Sequence, residues 1–403
     1  MKRRLVVITE LIAPYRIPVF NELAKHESID VKVIFLAATD PSMRQWRIYS
    51  EEIRFWHHIL PSWRNRIGKY NLLLNQNPGE ILNRLRPDVI LCGGYNYFAS
   101  WQALRWSRRN NVPFLLWCES TANDDRSGNI VLESLKRSFF SRCDGFVVPG
   151  ISAREYAQTK GALPGNTFIA PNAVDNALFA AGAESARMDA PRTLGRLGLP
   201  ARFFLFVGRL VKEKGVNELI EAYAALPEGV RSKIGLVLAG EGALRAELES
   251  RARAIFPGCV HFAGFVHREE LANYYGLAEC LVFPTHSDTW GMVVNEAMAC
   301  GLPIICSEVA GCAADLLRAN GIVVSPQDSS QLSDAMKRLA GDSALREQMS
   351  SCSREIIRRY SPESCAGGIA EAILATTENR RDQGMFNSAG LITAARSSEV
   401  ETL

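Results

Sequence analysis

The chain has 403 residues, of which 47% are hydrophobic and 22% charged, with a formal net charge of +3. That composition belongs to a globular protein with material for two or three domains, and the near balance of charge excludes a nucleic-acid binder that works through its overall field. The charge is unevenly spread: residues 1–180 hold 23 basic and 16 acidic side chains, about +7, against about −4 for the remainder, so the first half suits an anionic surface or acceptor.

Met1 to Ile8 is basic and then briefly apolar; its apolar part is too short for a signal peptide and reads as a first buried strand. No run of about 18 apolar residues predicts a transmembrane helix. The ten cysteines contain no Cys-x-x-Cys pair and no zinc-like spacing, so they read as small core residues in a reducing cytoplasm. Strand and helix patterns then alternate, which predicts α/β architecture with parallel sheets. Strands are expected at 4–9, 31–36, 89–91, 114–117, 145–148 and 167–170. Helices are expected between them at 18–25, 79–85, 101–110, 132–141 and 152–160. The Ala-, Gly- and Arg-rich stretch to Pro200 reads as a linker. Alternation restarts with strands at 203–207, 235–239, 260–263, 280–283 and 303–307, and helices at 216–225, 243–254, 268–277, from Gly291, and 332–340. A helix over 354–376 ends the pattern, and 377–403 reads as a disordered polar tail. Two doubly wound Rossmann-like units result, 1–175 and 200–357. They face one another across a cleft, with ligands expected at the C-terminal ends of the strands.

Chemistry concentrates in Pro284-Thr-His-Ser-Asp-Thr-Trp-Gly-Met-Val-Val-Asn-Glu-Ala-Met-Ala-Cys-Gly-Leu-Pro303. A strand leads through a polar turn into a helix that carries Glu296 in its second turn, with Asp288 in the loop before it. Both carboxylates thereby face one crevice beside a helix N-terminus, where Gly291, Met292 and Val293 offer free amides to an anion. A diphosphate on those amides and a ribose on Glu296 is a sensible arrangement, and the Ala-Met-Ala-Cys-Gly surroundings argue against a plain surface glutamate. His286 reads as a loop residue. Val207-Gly-Arg-Leu-Val-Lys-Glu-Lys-Gly-Val216 also joins a strand to a helix; Arg209 and Lys214 reach a phosphate there, Arg with planar bidentate contacts and Lys as a point charge. Any exposed loop can carry such cations, and Lys212 and Glu213 read that way. Ala239-Gly-Glu-Gly242 serves equally as a tight turn or a ligand contact.

The 284–303 segment resembles the signature of the retaining glycosyltransferases of family 4 (GT4), which have the GT-B fold. It departs at Asp288, where the family has Glu, at Thr289 for Gly and at Trp290 for Phe. The resemblance implies that Arg209 and Lys214 bind the diphosphate, that Asp288 holds hydroxyls of the transferred sugar, and that the backbone of Phe265 and Val266 reads the nucleobase. The donor would then be a UDP- or GDP-sugar, with no cofactor. A final helix at about 358–376 would cross back to the first domain. Pro171-Asn-Ala-Val-Asp-Asn-Ala-Leu-Phe179 resembles the segment leading out of that domain. No Asp-x-Asp motif occurs, so no metal is expected. Pro14-Tyr-Arg-Ile-Pro-Val-Phe-Asn-Glu-Leu23 resembles the opening of bacterial polysaccharide transferases and directs Arg16 toward the leaving phosphate or acceptor. A helix cap or salt bridge is the other reading of that arginine. Glu119, after a strand, is a base toward the acceptor hydroxyl or a structural carboxylate; the Gly93–Tyr97 loop is a site or a turn.

Two groups interleave Trp with basic residues: Trp46, Trp56 and Trp63 with Arg44, Arg47, Arg54, Arg64, Arg66 and Lys69; and Trp101 and Trp106 with Arg105, Arg108 and Arg109. They suit either an anionic membrane surface beneath a polyprenyl-linked or other glycan acceptor, or ordinary packing. The expected activity is sugar transfer at the cytoplasmic face of a membrane. A phosphorylase, an epimerase or a non-catalytic scaffold on the same fold are the other readings.

Overall fold

The computed structural model describes residues 2–40, 46–67, 70–124 and 130–378. Its first half contributes β1 (Arg3–Thr9), β2 (Ile29–Phe35), β3 (Trp56–Ile59), the antiparallel pair β4 (Ser62–Ile67) and β5 (Tyr70–Asn75), β6 (Val89–Cys92), β7 (Phe114–Trp117), β8 (Gly145–Val148) and β9 (Thr167–Ile169). Apart from β4 and β5 these form one parallel sheet in the order β3-β2-β1-β6-β7-β8-β9. The second half adds β10 (Phe203–Val207), β11 (Gly235–Ala239), β12 (Val260–Gly264), β13 (Cys280–Phe283), β14 (Ile304–Ser307) and β15 (Gly321–Val324), parallel in the order β12-β11-β10-β13-β14-β15.

Helices cover both faces of each sheet, so the central strands are apolar throughout. In β10, Phe203, Leu205 and Val207 enter one core while Phe204 and Phe206 enter the other, the period-two alternation of a strand buried on both sides. In each sheet the strand order reverses beside its first strand: β1 lies between β2 and β6, and β10 between β11 and β13. The helices that follow β10 and β13 pack on opposite faces of the sheet, which leaves a crevice at the C-terminal ends of these strands, the place where doubly wound sheets bind ligands.

Four features differ from the sequence reading. The linker before Pro200 is two helices, Asn176–Met188 and Ala190–Leu197. Asp175 caps the first through Leu178 N at 2.9 Å, and Phe179, Ala183 and Ala186 bury its inner face. The 354–376 helix is broken: one helix runs Ser343–Ile357 and the next 362–378, because Pro362 follows a turn it cannot continue. Residues 377 and 378, expected in the tail, belong to that helix, and 379–403 lie outside those described. The second helix returns to the first sheet, where Cys365, Ala366, Ile369 and Ile373 pack with Leu5, Val7 and Leu115. Strands β3, β4, β5 and β15 were not foreseen, and Arg44 and Lys69 lie outside the described residues.

The Trp clusters separate. Trp101 packs edge-on against Phe139 with ring centroids at 4.9 Å, and Trp106 donates to Asn83 Oδ1 at 2.7 Å, so this pair is packing. Trp56 and Trp63 stay 42% and 55% exposed. Arg47 and Arg64 are engaged with Glu51 and Asp40. No helix among the described residues is long and apolar enough to cross a membrane.

Candidate active site

A cavity of about 780 Å³ opens between the two sheets and is lined by both halves of the chain. The loop after β10 supplies Arg209 and Lys214, and the loop after β13 supplies Ser287, Asp288 and Thr289. Backbone packing ties these two loops together. Gly215 holds φ +69°, and a Cβ there would collide with the carbonyl oxygen of Pro284, so only glycine lets the loops approach this closely. His286 N donates to Glu213 O at 3.0 Å, as does Thr285 Oγ1. The approach brings Lys214 Nζ to 2.5 Å from Asp288 Oδ2. Asp288 Oδ1 accepts from Trp290 N at 3.1 Å, an Asx turn that leads the chain into the helix Met292–Ala299. Gly291 caps that helix at φ +102°. The first amides of a helix have no carbonyl partner within it, and here they border the cavity.

Asp288 binds two donors, yet each carboxylate oxygen keeps a further lone pair for a ligand hydroxyl. Arg209, exposed on the cavity wall, has no carboxylate partner among the described residues. Glu296 lies one turn into the helix. Burial pushes its carboxyl up to about 7, against the opposing effect of one hydrogen bond, from Tyr275 Oη to Oε2 at 2.7 Å. Phe265 and Val266 form the far end of the cavity beside His267 and Arg268. His286 Nε2 faces Glu218 Oε1 at 3.0 Å, as suits a loop residue.

The first half contributes Pro14, Tyr15, Trp46, Tyr49 and Glu119 to the opposite wall. Arg16 does not line the cavity. Its guanidinium is buried below the surface, 3.6 Å from the centroid of Trp117 and 2.7 Å from Glu119 Oε2, and it meets the cavity through Glu119 and Tyr15, which line it. The attraction of Glu119 holds Arg16 charged against its burial. Two links join the halves at the cavity mouth: Arg268 pairs with Glu52 and stacks 3.6 Å from the ring centroid of Tyr49, and Tyr49 Oη donates to Glu269 at 3.1 Å. Elsewhere Asp315 accepts from Ile151 N at 2.9 Å, capping a helix of the other half. No group of three or more His, Cys, Asp or Glu among the described residues is placed to hold a metal.

Residues 20–178 match the model of Glycosyltransferase Family 4, and residues 196–356 that of Glycosyl transferases group 1. The chain belongs to glycosyltransferase family 4. This family 4 chain is 28% identical over 236 residues to the D-inositol 3-phosphate glycosyltransferase of Xylanimonas cellulosilytica, covering 57% of this chain and 56% of that protein. It is 36% identical over 159 residues to the alpha-D-kanosaminyltransferase of Streptomyces kanamyceticus (38% and 40% covered). With the O-antigen chain mannosyltransferase B of Escherichia coli it is 26% identical over 165 residues (40% and 43%). The chain thus spans roughly half the length of the curated relatives it matches. Its fold is shared with Anabaena Alr3699/HepE in complex with UDP, at TM-score 0.72 and 15% identity over 93% of this chain and all of that one. It is also shared with the sucrose-phosphate synthase of Thermosynechococcus elongatus, at TM-score 0.67 and 20% identity over 96% of this chain and all of that one. The architecture is GT-B.

Of the residues singled out in the family 4 chain's sequence, Arg209, Lys214, Asp288, Glu296, Gly291, Met292, Val293, Phe265, Val266 and Glu119 border one cavity, and Arg16 sits behind Glu119. Trp290, at the family's Phe position, is buried and donates to Asn295 Oδ1 at 2.8 Å. Sequence reasoning missed Tyr275, which looks like any core tyrosine, and the Tyr49–Arg268 contact, whose partners lie more than 200 positions apart.

Proposed function

We propose that the chain is a retaining glycosyltransferase that moves a sugar from a nucleoside diphosphate sugar to a hydroxyl of a glycan or lipid-linked glycan. One observation carries this reading: a cation without a carboxylate partner among the described residues (Arg209), a paired cation (Lys214), helix-start amides and a half-buried carboxylate all border one cavity at the switch point of the second sheet. The cations and amides suit a diphosphate. Glu296 suits the ribose diol, and Asp288 the hydroxyls of the transferred sugar. Breaking the bond from the anomeric carbon to the β-phosphate oxygen leaves negative charge on the diphosphate, which Arg209, Lys214 and the amides stabilise without a metal. The acceptor oxygen attacks from the face the diphosphate leaves, so configuration is retained, and its proton passes to the departing phosphate oxygen. Glu119, held by Arg16, borders the acceptor side.

The relative named as an O-antigen chain mannosyltransferase supports a saccharide acceptor. The exposed Trp56, Trp63, Leu72 and Leu74 support peripheral attachment to the cytoplasmic face of a membrane for a polyprenyl-linked one. Incubating the protein with UDP- and GDP-sugars and following release of free nucleotide tests the reading: wild type hydrolyses or transfers one donor, and Glu296→Ala does not. The Lys214–Asp288 pair favours a second reading, a binding protein without transfer, because it occupies both groups before any donor arrives. Nucleotide binding with no turnover on any donor, with or without lipid acceptors, would establish that one instead.

A further inference from the structure

Glu296 is an unusual carboxylate. It is half-buried on the cavity wall, and its side-chain hydrogen-bond partner among the described residues is a neutral phenol, Tyr275, at 2.7 Å. Tyr275 stands on the helix Arg268–Leu277, which packs against both Met292–Ala299 and Asn176–Met188. The tyrosine has no exposed surface, and the ring of Phe179 fixes it edge-on at 6.1 Å between centroids. Its hydroxyl can therefore do little but donate to Oε2. That leaves Oε1 as the oxygen available to a ligand in the cavity that Glu296 lines.

We infer that Tyr275 is a positioning residue for the nucleotide: by holding Oε2 of Glu296 it aims the other oxygen at a vicinal diol. This deepens the proposed function and rests on it. The bond also favours the ionised carboxylate, opposing the burial that disfavours it. Among the described residues no cation shares that task. Arg187, on the third helix, donates instead to the backbone oxygen of Cys300, and Cys300, at the end of Glu296's own helix, is itself held neutral by burial. Arg209 and the Lys214–Asp288 pair belong to the loops after β10 and β13 and do not contact Glu296. Tyr275, itself pushed well above its ordinary range, stays protonated as a donor throughout. A ribose diol donates two hydrogen bonds and so selects the carboxylate, and the phenol prepares that state before the ligand arrives.

The test is calorimetric titration of the full chain with UDP and, in parallel, GDP between about pH 5.5 and about pH 8.5. It is repeated for Tyr275→Phe and with the 2′- and 3′-deoxy forms of whichever nucleotide binds. Losing one hydrogen bond to a charged group should weaken ribonucleotide binding roughly ten-fold or more at neutral pH and move the rise of affinity with pH to higher values. The deoxy analogue lacking the contacted hydroxyl should bind both proteins alike, and in a Glu296→Gln background the Phe substitution should have no further effect. A merely structural tyrosine would change the melting temperature without moving the pH profile. Tyr275→Phe that binds the ribonucleotide like wild type, with the same pH profile, overturns the inference and leaves the proposed function standing. Failure of both UDP and GDP to bind wild type overturns both.

Discussion

Glu296→Gln should stabilise the protein above neutral pH while weakening ribonucleotide binding. In the folded chain burial raises this carboxyl from 4.5 to about 7, so folding disfavours its ionised form. The sign follows from linkage: a folded acid with a raised value is at no disadvantage below about pH 4.5, loses stability between there and about 7, and carries a constant penalty above. At about 1.4 kcal/mol per pH unit the rise amounts to roughly 3 kcal/mol once Glu296 is charged. The amide keeps the shape and still accepts from Tyr275, so the variant escapes that penalty. For a domain of this size the gain is about 6–12 °C in melting temperature at pH 8, and close to nothing at pH 4.5. Thermal melts of both proteins across that range, without ligand, read it directly. Equal pH dependence in the two would refute the claim that this carboxylate is charged at a cost inside the second domain.

Other substitutions probe the frame around the site. Gly215→Ala should cost more than about 2 kcal/mol in denaturant unfolding, because it combines a left-handed backbone with a clash against Pro284, and it should separate Lys214 from Asp288. Trp290→Phe leaves Asn295, which has no exposed surface, without its donor, and should cost about 1–3 kcal/mol in the same measurement. Asp315→Ala removes a cap supplied by one half to a helix of the other and should cost about 0.5–2 kcal/mol, with solution scattering reporting a wider spacing of the halves.

The strands β10, β11 and β13, apolar throughout, and the amphipathic helices Val216–Ala225 and Arg268–Leu277 were legible from the sequence to the residue. Burial on both faces leaves such strands no polar positions to blur their ends. The helices over 176–197 were obscured by composition. Alanine, glycine and arginine suggest a linker, although Phe179, Ala183 and Ala186 already follow a helical period. β4 alternates Trp63 and Arg64 as a strand does, but the density of aromatic and basic side chains suggests a membrane interface instead. In the site, the loop cations and carboxylates were legible because their residue types and spacing name a chemistry. Arg16 was legible as an arginine directed toward the site but not as one lying behind Glu119, since depth below a surface leaves no mark in sequence. Tyr275 was not legible at all: its role comes from a neighbour 21 positions away on another helix.

The central claim is that the second domain cradles a diphosphate between Arg209, Lys214 and the start of the helix Met292–Ala299. Calorimetric titration with UDP and GDP at two salt concentrations, on wild type and Arg209→Ala, tests it most directly. The account predicts that one nucleotide binds, that Arg209→Ala loses roughly ten- to hundred-fold in affinity, and that the salt dependence shrinks with it. Equal affinity and equal salt dependence in the two proteins would contradict it.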